Sequence, residues 1–315
     1  MLNSINDRVV NWVTEYNPWT NMYGMARTII ALATASTLIF NDVEVFFRPT
    51  SDSNIYPNCG NSIVTIFCLV PNDYTYLNII KWICVMILLL VASGWRPQIT
   101  GLLHWWVSYS FHQSAVTIDG GENVAAVITL LLIPITLCDP RKNHWCRKID
   151  LNANFINRRI ISKISFILIR IQVAIIYFHS TVAKLSVPEW IDGTAVWYYM
   201  QSSMIGLNPR MMEIFDFILS SRLIVIPTWG TLVLQTVLVL ALFAPKNYWS
   251  YILFFAVFMH EIFAVFLGLF SFSLIMLGSL FLFLRPAEKE FQFSKFHVLK
   301  YPIKRGDIKR LDHAC

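Results

Sequence analysis

The chain has 315 residues, of which 56% are hydrophobic and only 14% charged, whereas an average soluble domain has about 25% charged residues. This composition excludes an ordinary soluble enzyme and predicts an integral membrane protein in the lipid bilayer. The net charge of +6 comes from basic residues in loops beside apolar segments. It therefore indicates membrane topology, and no nucleic acid is expected as a partner.

Apolar runs of roughly 17 to 25 residues are typical of membrane-spanning helices, and the sequence contains eight of them. The last two are nearly continuous, and Gly268 is expected to turn the chain between them because the joined run exceeds one span. The predicted fold class is all-α: a polytopic membrane helix bundle over residues 1–285, then a basic cytoplasmic tail over 286–315. The spans cover about residues 23–41, 76–94, 98–116, 121–138, 164–184, 223–244, 248–267 and 269–285.

Most lysines and arginines fall into two stretches, residues 139–163 and the tail from Arg285. The positive-inside rule places such stretches in the cytoplasm, and an even number of spans puts both on one side. Both termini are then cytoplasmic, while the loop 42–75, the "TIDGGE" turn and the loop 185–222 face outward. The start of the chain is polar and acidic, so we expect no signal peptide.

Two stretches predict helices on the membrane surface. The segment "KIDLNANFINRRIISK" would place Leu151, Phe155 and Ile156 among the lipid headgroups, with Arg158 and Arg159 in water; a plain linker is the alternative. Residues 188–221 are rich in aromatic side chains that favour the membrane boundary, and they predict helices that cap the outer end of the bundle. These side chains are Trp190, Trp197, Tyr198 and Tyr199.

The six cysteines form no CxxC motif. Cys59 and Cys68 share one polar loop and could form a disulfide if that loop lies outside, or remain reduced. The stretch "LCDPRKNHWC" offers Cys138, His144 and Cys146 as metal ligands without a fourth nearby. Three ligands at a span boundary are too few for a structural zinc site, so no metal is expected.

The fifth span carries polar residues at helical spacing. Arg170, Tyr177 and Lys184 recur every seven residues and share one stripe, with Gln172 and His179 on a neighbouring stripe. This polar face is expected to point into the bundle. Lys184 lies near the helix end, where it either snorkels to the interface or, desolvated between helices, acts as a general base.

The third span carries His104, Ser108 and His112 at intervals of four residues, and Asp119 and Glu122 follow in the "TIDGGE" turn. A carboxylate so close to a helix end could hold a lysine or an arginine. A solvated tight turn is the alternative.

The seventh span contains His260 and Glu261 within an apolar run. A charged glutamate in hydrocarbon needs a partner, and we expect Arg27 or Arg170 to supply it. A purely structural ion pair is the alternative to a ligand-binding role.

The segment "YFHSTVAKLSVPEWIDGTAVWYYM" resembles the HTTM domain, the membrane domain of vitamin K-dependent gamma-carboxylases and their bacterial relatives. Lys184 matches the lysine that acts there as the base on vitamin K hydroquinone, whereas Ala183 departs from the pattern. "MHEIFAVFLGLFSFSLIM" matches a helix led by His260, and "NPWTNMYGMARTIIALAT" an opening helix with Arg27. The resemblance implies a quinol cofactor of the menaquinol or vitamin K type. We predict Lys184 and His260 as catalytic, and as ligand-binding Arg27, His112, Asp119, Arg170, Tyr177, His179 and Glu261.

A narrower resemblance covers nearly the whole chain. The opening "YNPW" and the stretch "IDGGENVAAVITLLLIPITLCDPRKNHW" are similar to the sporulation-delaying protein B family. These are multi-pass proteins of the bacterial cell membrane, required to mature a secreted antimicrobial peptide toxin. The resemblance implies a partner like sporulation-delaying protein A and a toxin precursor like protein C.

Three functional hypotheses follow. The first is a membrane maturation factor whose outer cavity binds the toxin precursor, with Lys184 as a base or an anion contact. The second is a peptide exporter or a scaffold without chemistry. The third is a haem-bearing subunit, which would need paired histidines on facing helices. The candidate histidines are His104, His112, His179 and His260.

Overall fold

The computed structural model describes residues 12–13, 16–49, 56–60, 64–146, 155–202 and 205–292. These residues form helices and no strand, which confirms the predicted all-α bundle. The helices are α1 Asn21–Phe40, α2 Val43–Phe46, α3 Tyr74–Ala92, α4 Pro97–Ser114, α5 Gly120–Cys138, α6 Ile156–Leu185, α7 Pro188–Ile191, α8 Ala195–Met200, α9 Pro209–Leu219, α10 Val225–Leu240, α11 Trp249–Leu267 and α12 Phe270–Leu284.

Each of the eight predicted spans corresponds to a helix. In the described part of the chain, six helices are long and apolar enough to cross a membrane: α1, α3, α5, α6, α10 with the turn before it, and α11. The other two, α4 and α12, pack among them, but α12 has only 15 residues. Gly268 adopts φ +69° and separates α11 from α12, as predicted. Eight crossings remain a prediction.

The helices alternate in direction, so their connections gather at two ends of the bundle. One end holds residues 139–146, 241–248 and 285–292, and we call it the basic end because Arg141, Lys246 and Arg285 lie there. The opposite end holds the loop 64–73, the turn 115–119 and helices α7 to α9. This distribution agrees with a cytoplasmic basic end.

The predicted surface helix before the fifth span is wrong where the structure describes it. Residues 156–163 are the first turns of α6, which runs unbroken for 30 residues. The ring of Phe155 packs edge-on against Trp19 at 6.4 Å between centroids, and Arg159 is only 3% exposed rather than in water. Leu151 and the tail beyond residue 292 lie outside the described residues.

The opposite end is covered by two structures that the sequence indicated. Helices α7 to α9 form from the aromatic segment. In the loop before α3, Cys59 and Cys68 form a disulfide. Its neighbour Phe67 packs against Phe47 with ring centroids 4.7 Å apart, so the loop is part of the hydrophobic core.

Gly278 permits a close contact between α12 and α1. A Cβ at Gly278 would lie 2.6 Å from Ile30 Cγ1 and 2.9 Å from the Ala26 carbonyl oxygen. Gly278→Val should therefore destabilise the bundle by about 1–3 kcal/mol, the usual cost of overpacking. Thermal unfolding of detergent-purified protein would measure it, with Gly230→Ala as control because Gly230 has nothing within 4 Å. Equal melting temperatures for both variants would contradict this packing.

Candidate functional site

The last turns of α6 border a cavity of about 400 Å³ near the opposite end of the bundle. Helices α5, α6, α11 and α12 surround it, and α10 contributes one amide side chain. We call it the polar chamber because polar side chains line it, and there are six of them besides Asn123 and Gln172. They are Tyr177, His179, Ser180, Lys184, Gln235 and His260.

Lys184 lies half-buried in this chamber. Its Nζ donates to Ser180 Oγ at 2.6 Å and to the Ser180 carbonyl oxygen at 3.4 Å, and it lies 5.2 Å from the centre of the Trp190 ring. No carboxylate pairs with it among the described residues. The amine is therefore held by neutral groups and is free to meet an anion or a proton donor.

Tyr177 and His260 form a second polar unit across the chamber. The Tyr177 hydroxyl lies 2.9 Å from His260 Nε2, and both side chains are almost fully buried. Among the described residues His260 Nδ1 has no hydrogen-bond partner, although it is buried. An orphaned buried nitrogen is costly, so it marks a place where a ligand or water completes the site.

A second cavity, of about 460 Å³, adjoins the first. Its walls are almost entirely apolar, with Trp190, Phe258 and Met259 among them, and we call it the apolar chamber. Lys184, Phe263 and Phe272 line both chambers, so the amine stands at their junction. The combined shape suits a molecule with a polar head and a hydrocarbon tail.

Arg27 does not lie near Lys184. It is fully buried at the basic end, where Nη2 donates to Thr100 Oγ1 at 2.6 Å and Nη1 lies 3.3 Å from His144 Nδ1. The prediction that Arg27 pairs with Glu261 is therefore wrong. The position of Arg27 in the sequence could not reveal this contact, because His144 comes from a distant loop.

His144 accepts from Arg27 as a neutral imidazole. Burial lowers the pKa of His144 to about 2, and the positive charges of Arg27 and Arg141 act in the same direction. Thr28 Oγ1 donates to the Ala92 carbonyl oxygen at 3.0 Å and lies 3.3 Å from His144 Nε2. Nε2 therefore carries the proton and Nδ1 is free to accept from the guanidinium.

Arg170, the other residue expected to pair with Glu261, also lies away from it. Arg170 Nε donates to the Phe283 carbonyl oxygen at 3.2 Å, and its guanidinium lies 4.1 Å from the centre of the Trp249 ring. Trp249 begins α11 at the basic end. Glu261 is exposed instead, and it accepts from Ser273 Oγ at 3.2 Å.

The carboxylates of the "TIDGGE" turn hold hydroxyl groups rather than a lysine or an arginine. Asp119 caps α5 by accepting from Gly121 N at 2.8 Å and also accepts from Ser271 Oγ at 3.0 Å. Glu122 is fully buried and accepts from Thr34 and Thr37 of α1 at 2.9 and 3.0 Å. Both sequence alternatives for Glu122 are wrong, because it joins α5 to α1.

The four histidines considered for haem are dispersed. His104 and His112 lie on α4 and border neither chamber, whereas His179 lies at an exposed edge of the polar chamber. His260 is engaged by Tyr177. In the part of the chain that the structure describes, no three metal-ligating side chains come together.

Two proteins of Bacillus subtilis (strain 168) are similar to this chain along nearly its whole length. Uncharacterized protein YitO is 52% identical over 98% of this chain and 99% of its own. Sporulation-delaying protein SdpB is 33% identical over 92% of this chain and 87% of its own. The chain belongs to the sporulation-delaying protein B family. No family model and no solved structure matches it, so the resemblance to the HTTM domain remains a prediction.

In this member of the sporulation-delaying protein B family, sequence reasoning missed Ser180 and Gln235 of the polar chamber. Ser180 precedes Lys184 by one helical turn, which places the hydroxyl beside the amine. Gln235 lies 3.4 Å from Ser180 Oγ, and it is a strongly polar side chain within the apolar α10. That isolation inside a span was the signal that could have found it.

Proposed function

We propose that this chain is a membrane maturation factor of a sporulation-delaying protein pathway, in the bacterial cell membrane. It would act on a secreted peptide toxin precursor like protein C, together with a partner like protein A. The observation that carries the proposal is Lys184, an intramembrane amine that pairs with no carboxylate of the described residues and lies at the junction of two chambers. Ionisable groups in spans usually serve function, and the similarity to SdpB supplies the pathway.

A quinol of the menaquinol or vitamin K type fits the residues present. The apolar chamber can take a hydrocarbon tail, and the polar chamber offers Lys184 and the orphaned His260 Nδ1 to a hydroxyl head. When bound, a quinol supplies two electrons and two protons on oxidation. Lys184 Nζ, in its neutral form, would take up a proton from a hydroxyl at the junction of the chambers.

The remaining side chains position these two groups. Ser180 fixes the Lys184 amine through a hydrogen bond of 2.6 Å. Tyr177 occupies His260 Nε2 and so leaves Nδ1 for the ligand. The aromatic rings of Phe263 and Phe272 line the junction with apolar surface, and a lower local dielectric would strengthen each polar contact there.

Complementation tests the function directly. The gene for this chain is deleted in its host, and the wild-type protein is then restored on a plasmid. We expect mature peptide in the medium of the restored strain and unprocessed precursor in the deletion strain, both identified by mass spectrometry. Equal amounts of mature peptide in the two strains would contradict the proposal.

The alternative of an exporter or a scaffold without chemistry predicts a different pattern. An exporter that is lost should leave processed peptide inside the cell rather than unprocessed precursor. A scaffold should keep its activity when the polar side chains of the chamber are removed, provided that the protein still folds. Mass analysis of the cell-associated peptide therefore separates these classes.

A further inference from the structure

Glu261 places a carboxylate on the outer surface of the helix bundle. It is exposed, whereas its neighbour His260 is buried. Phe254, Phe258, Glu261 and Val265 follow one another at intervals of four, three and four residues, so they form a single stripe of α11. The three apolar members are between 57% and 63% exposed. We call these four residues the Glu261 stripe.

The stripe lies within the apolar part of the bundle. Glu261 comes six residues before Leu267, the last residue of α11, which places its Cα about 9 Å from that helix end at 1.5 Å per residue. Side chains on a helix lean toward its N-terminus. For α11 this direction leads toward the basic end, so the carboxylate leans deeper into the bilayer and away from the nearer surface.

Within the described residues the carboxylate has one polar contact, the Ser273 hydroxyl at 3.2 Å. A hydroxyl donates one hydrogen bond but does not balance a charge. Ionisable residues of membrane helices almost always face the bundle interior and pair there, because a charge exposed to hydrocarbon is costly. Glu261 faces outward and pairs with no cation among the described residues, so a counterpart would have to come from another chain.

We infer that the Glu261 stripe binds a transmembrane helix of a partner protein that carries a lysine or an arginine at the same depth. The cation would pair with the carboxylate, and Phe258 and Val265 would provide the packing surface on either side. This inference does not depend on the chemistry at Lys184, since Phe254, Glu261 and Val265 border neither chamber and only Phe258 of the stripe also lines the apolar chamber.

A second copy of this chain does not fit the stripe. A two-fold symmetric contact would place two Glu261 carboxylates face to face, which is repulsive. Among the described residues, the cations that lie away from the ends of the spans are also turned inward, whereas exposed Arg158 and Arg222 lie at span ends. Arg27 and Lys81 are buried, and Lys184 bonds to Ser180 inside the polar chamber.

Synthetic helices in vesicles test the charge complementarity. The full chain, labelled with a fluorescent donor, is reconstituted with a leucine-rich transmembrane peptide that has one lysine at the depth of Glu261, or leucine in that position. Energy transfer should show about tenfold tighter binding of the lysine peptide. Glu261→Gln should remove this preference, and Glu213→Gln, the same change on exposed α9, should keep it. Equal binding of both peptides, or a preference that survives Glu261→Gln, would overturn the inference.

Photo-crosslinking in the native host tests the natural partner. A photoreactive amino acid replaces Val265, which is 60% exposed on the stripe and lines neither chamber, or, as control, Ile79, which is 52% exposed on α3. We expect an adduct at Val265 alone, with a peptide from a transmembrane helix that contains a basic residue. A homodimer adduct, an adduct with a helix that lacks a basic residue, or lipid adducts alone would refute it.

Discussion

Lys184→Met is expected to lower the yield of mature toxin by at least about 100-fold while the protein remains in the membrane at its normal level. Methionine keeps the length of the side chain but removes the amine that Ser180 holds at the junction of the chambers. Without that amine the site loses its only proposed base. Mass spectrometry of the medium and immunoblots of the membrane fraction would measure the two quantities.

Two further substitutions serve as controls for the yield of Lys184→Met. Lys289→Met removes an exposed amine at the basic end and should leave the yield unchanged. Lys184→Arg keeps the positive charge, but the arginine guanidinium does not lose its proton and therefore cannot act as a base. Normal yield from Lys184→Arg would show that charge suffices and would exclude the base. Normal yield from Lys184→Met would exclude any role for the amine.

Asp139→Ala should lower the free energy of unfolding by about 3–5 kcal/mol, the range for a broken buried ion pair. Asp139 is fully buried and accepts from Arg141 Nη2 at 2.8 Å, from Arg141 Nε at 2.9 Å and from the Tyr23 hydroxyl at 2.6 Å. Its loss leaves the Arg141 and Arg27 cations together in a buried site. Thermal unfolding in detergent, followed by the loss of monodisperse protein, would measure the change.

The matched control is Asp216→Ala, because Asp216 is exposed on α9 and its carboxylate makes no hydrogen bond to a described residue. This variant should melt within a degree or two of the wild type, as surface substitutions usually do. If Asp139→Ala had the same melting temperature as Asp216→Ala, the ion pair between Asp139 and Arg141 would contribute nothing to stability. The contacts of Asp139 with Arg141 and Tyr23 would then need another explanation.

The lengths of the apolar runs predicted the helices well, because hydrophobic thickness constrains each span separately. The turn at Gly268 followed from the same length argument. The partners of Arg27, Glu122 and Glu261 could not be predicted, because they depend on which helices are neighbours in space. Seven-residue spacing placed Tyr177 and Lys184 on one face of α6, and both line the polar chamber. The same spacing could not show that Arg170 lies far from them, beside Trp249.

The continuity of α6 was missed for a different reason. Its first turns are rich in arginine and lysine, which is typical of a helix on the membrane surface. Packing overrides this preference, because Phe155 meets Trp19 and Arg159 is buried. Trp19, which lies just before α1, supplies the contact with Phe155, and local sequence could not reveal it.

The Cys59–Cys68 disulfide has a consequence for the redox environment of the two ends. Cytosolic thiols are kept reduced, whereas disulfides persist in the oxidising space outside the cell. The opposite end, which carries this disulfide, is expected to face that space, in agreement with the cytoplasmic placement that the positive charges favour for the basic end. Lys184 lies near the same end, so the chambers would meet a secreted peptide after it has left the reducing cytosol.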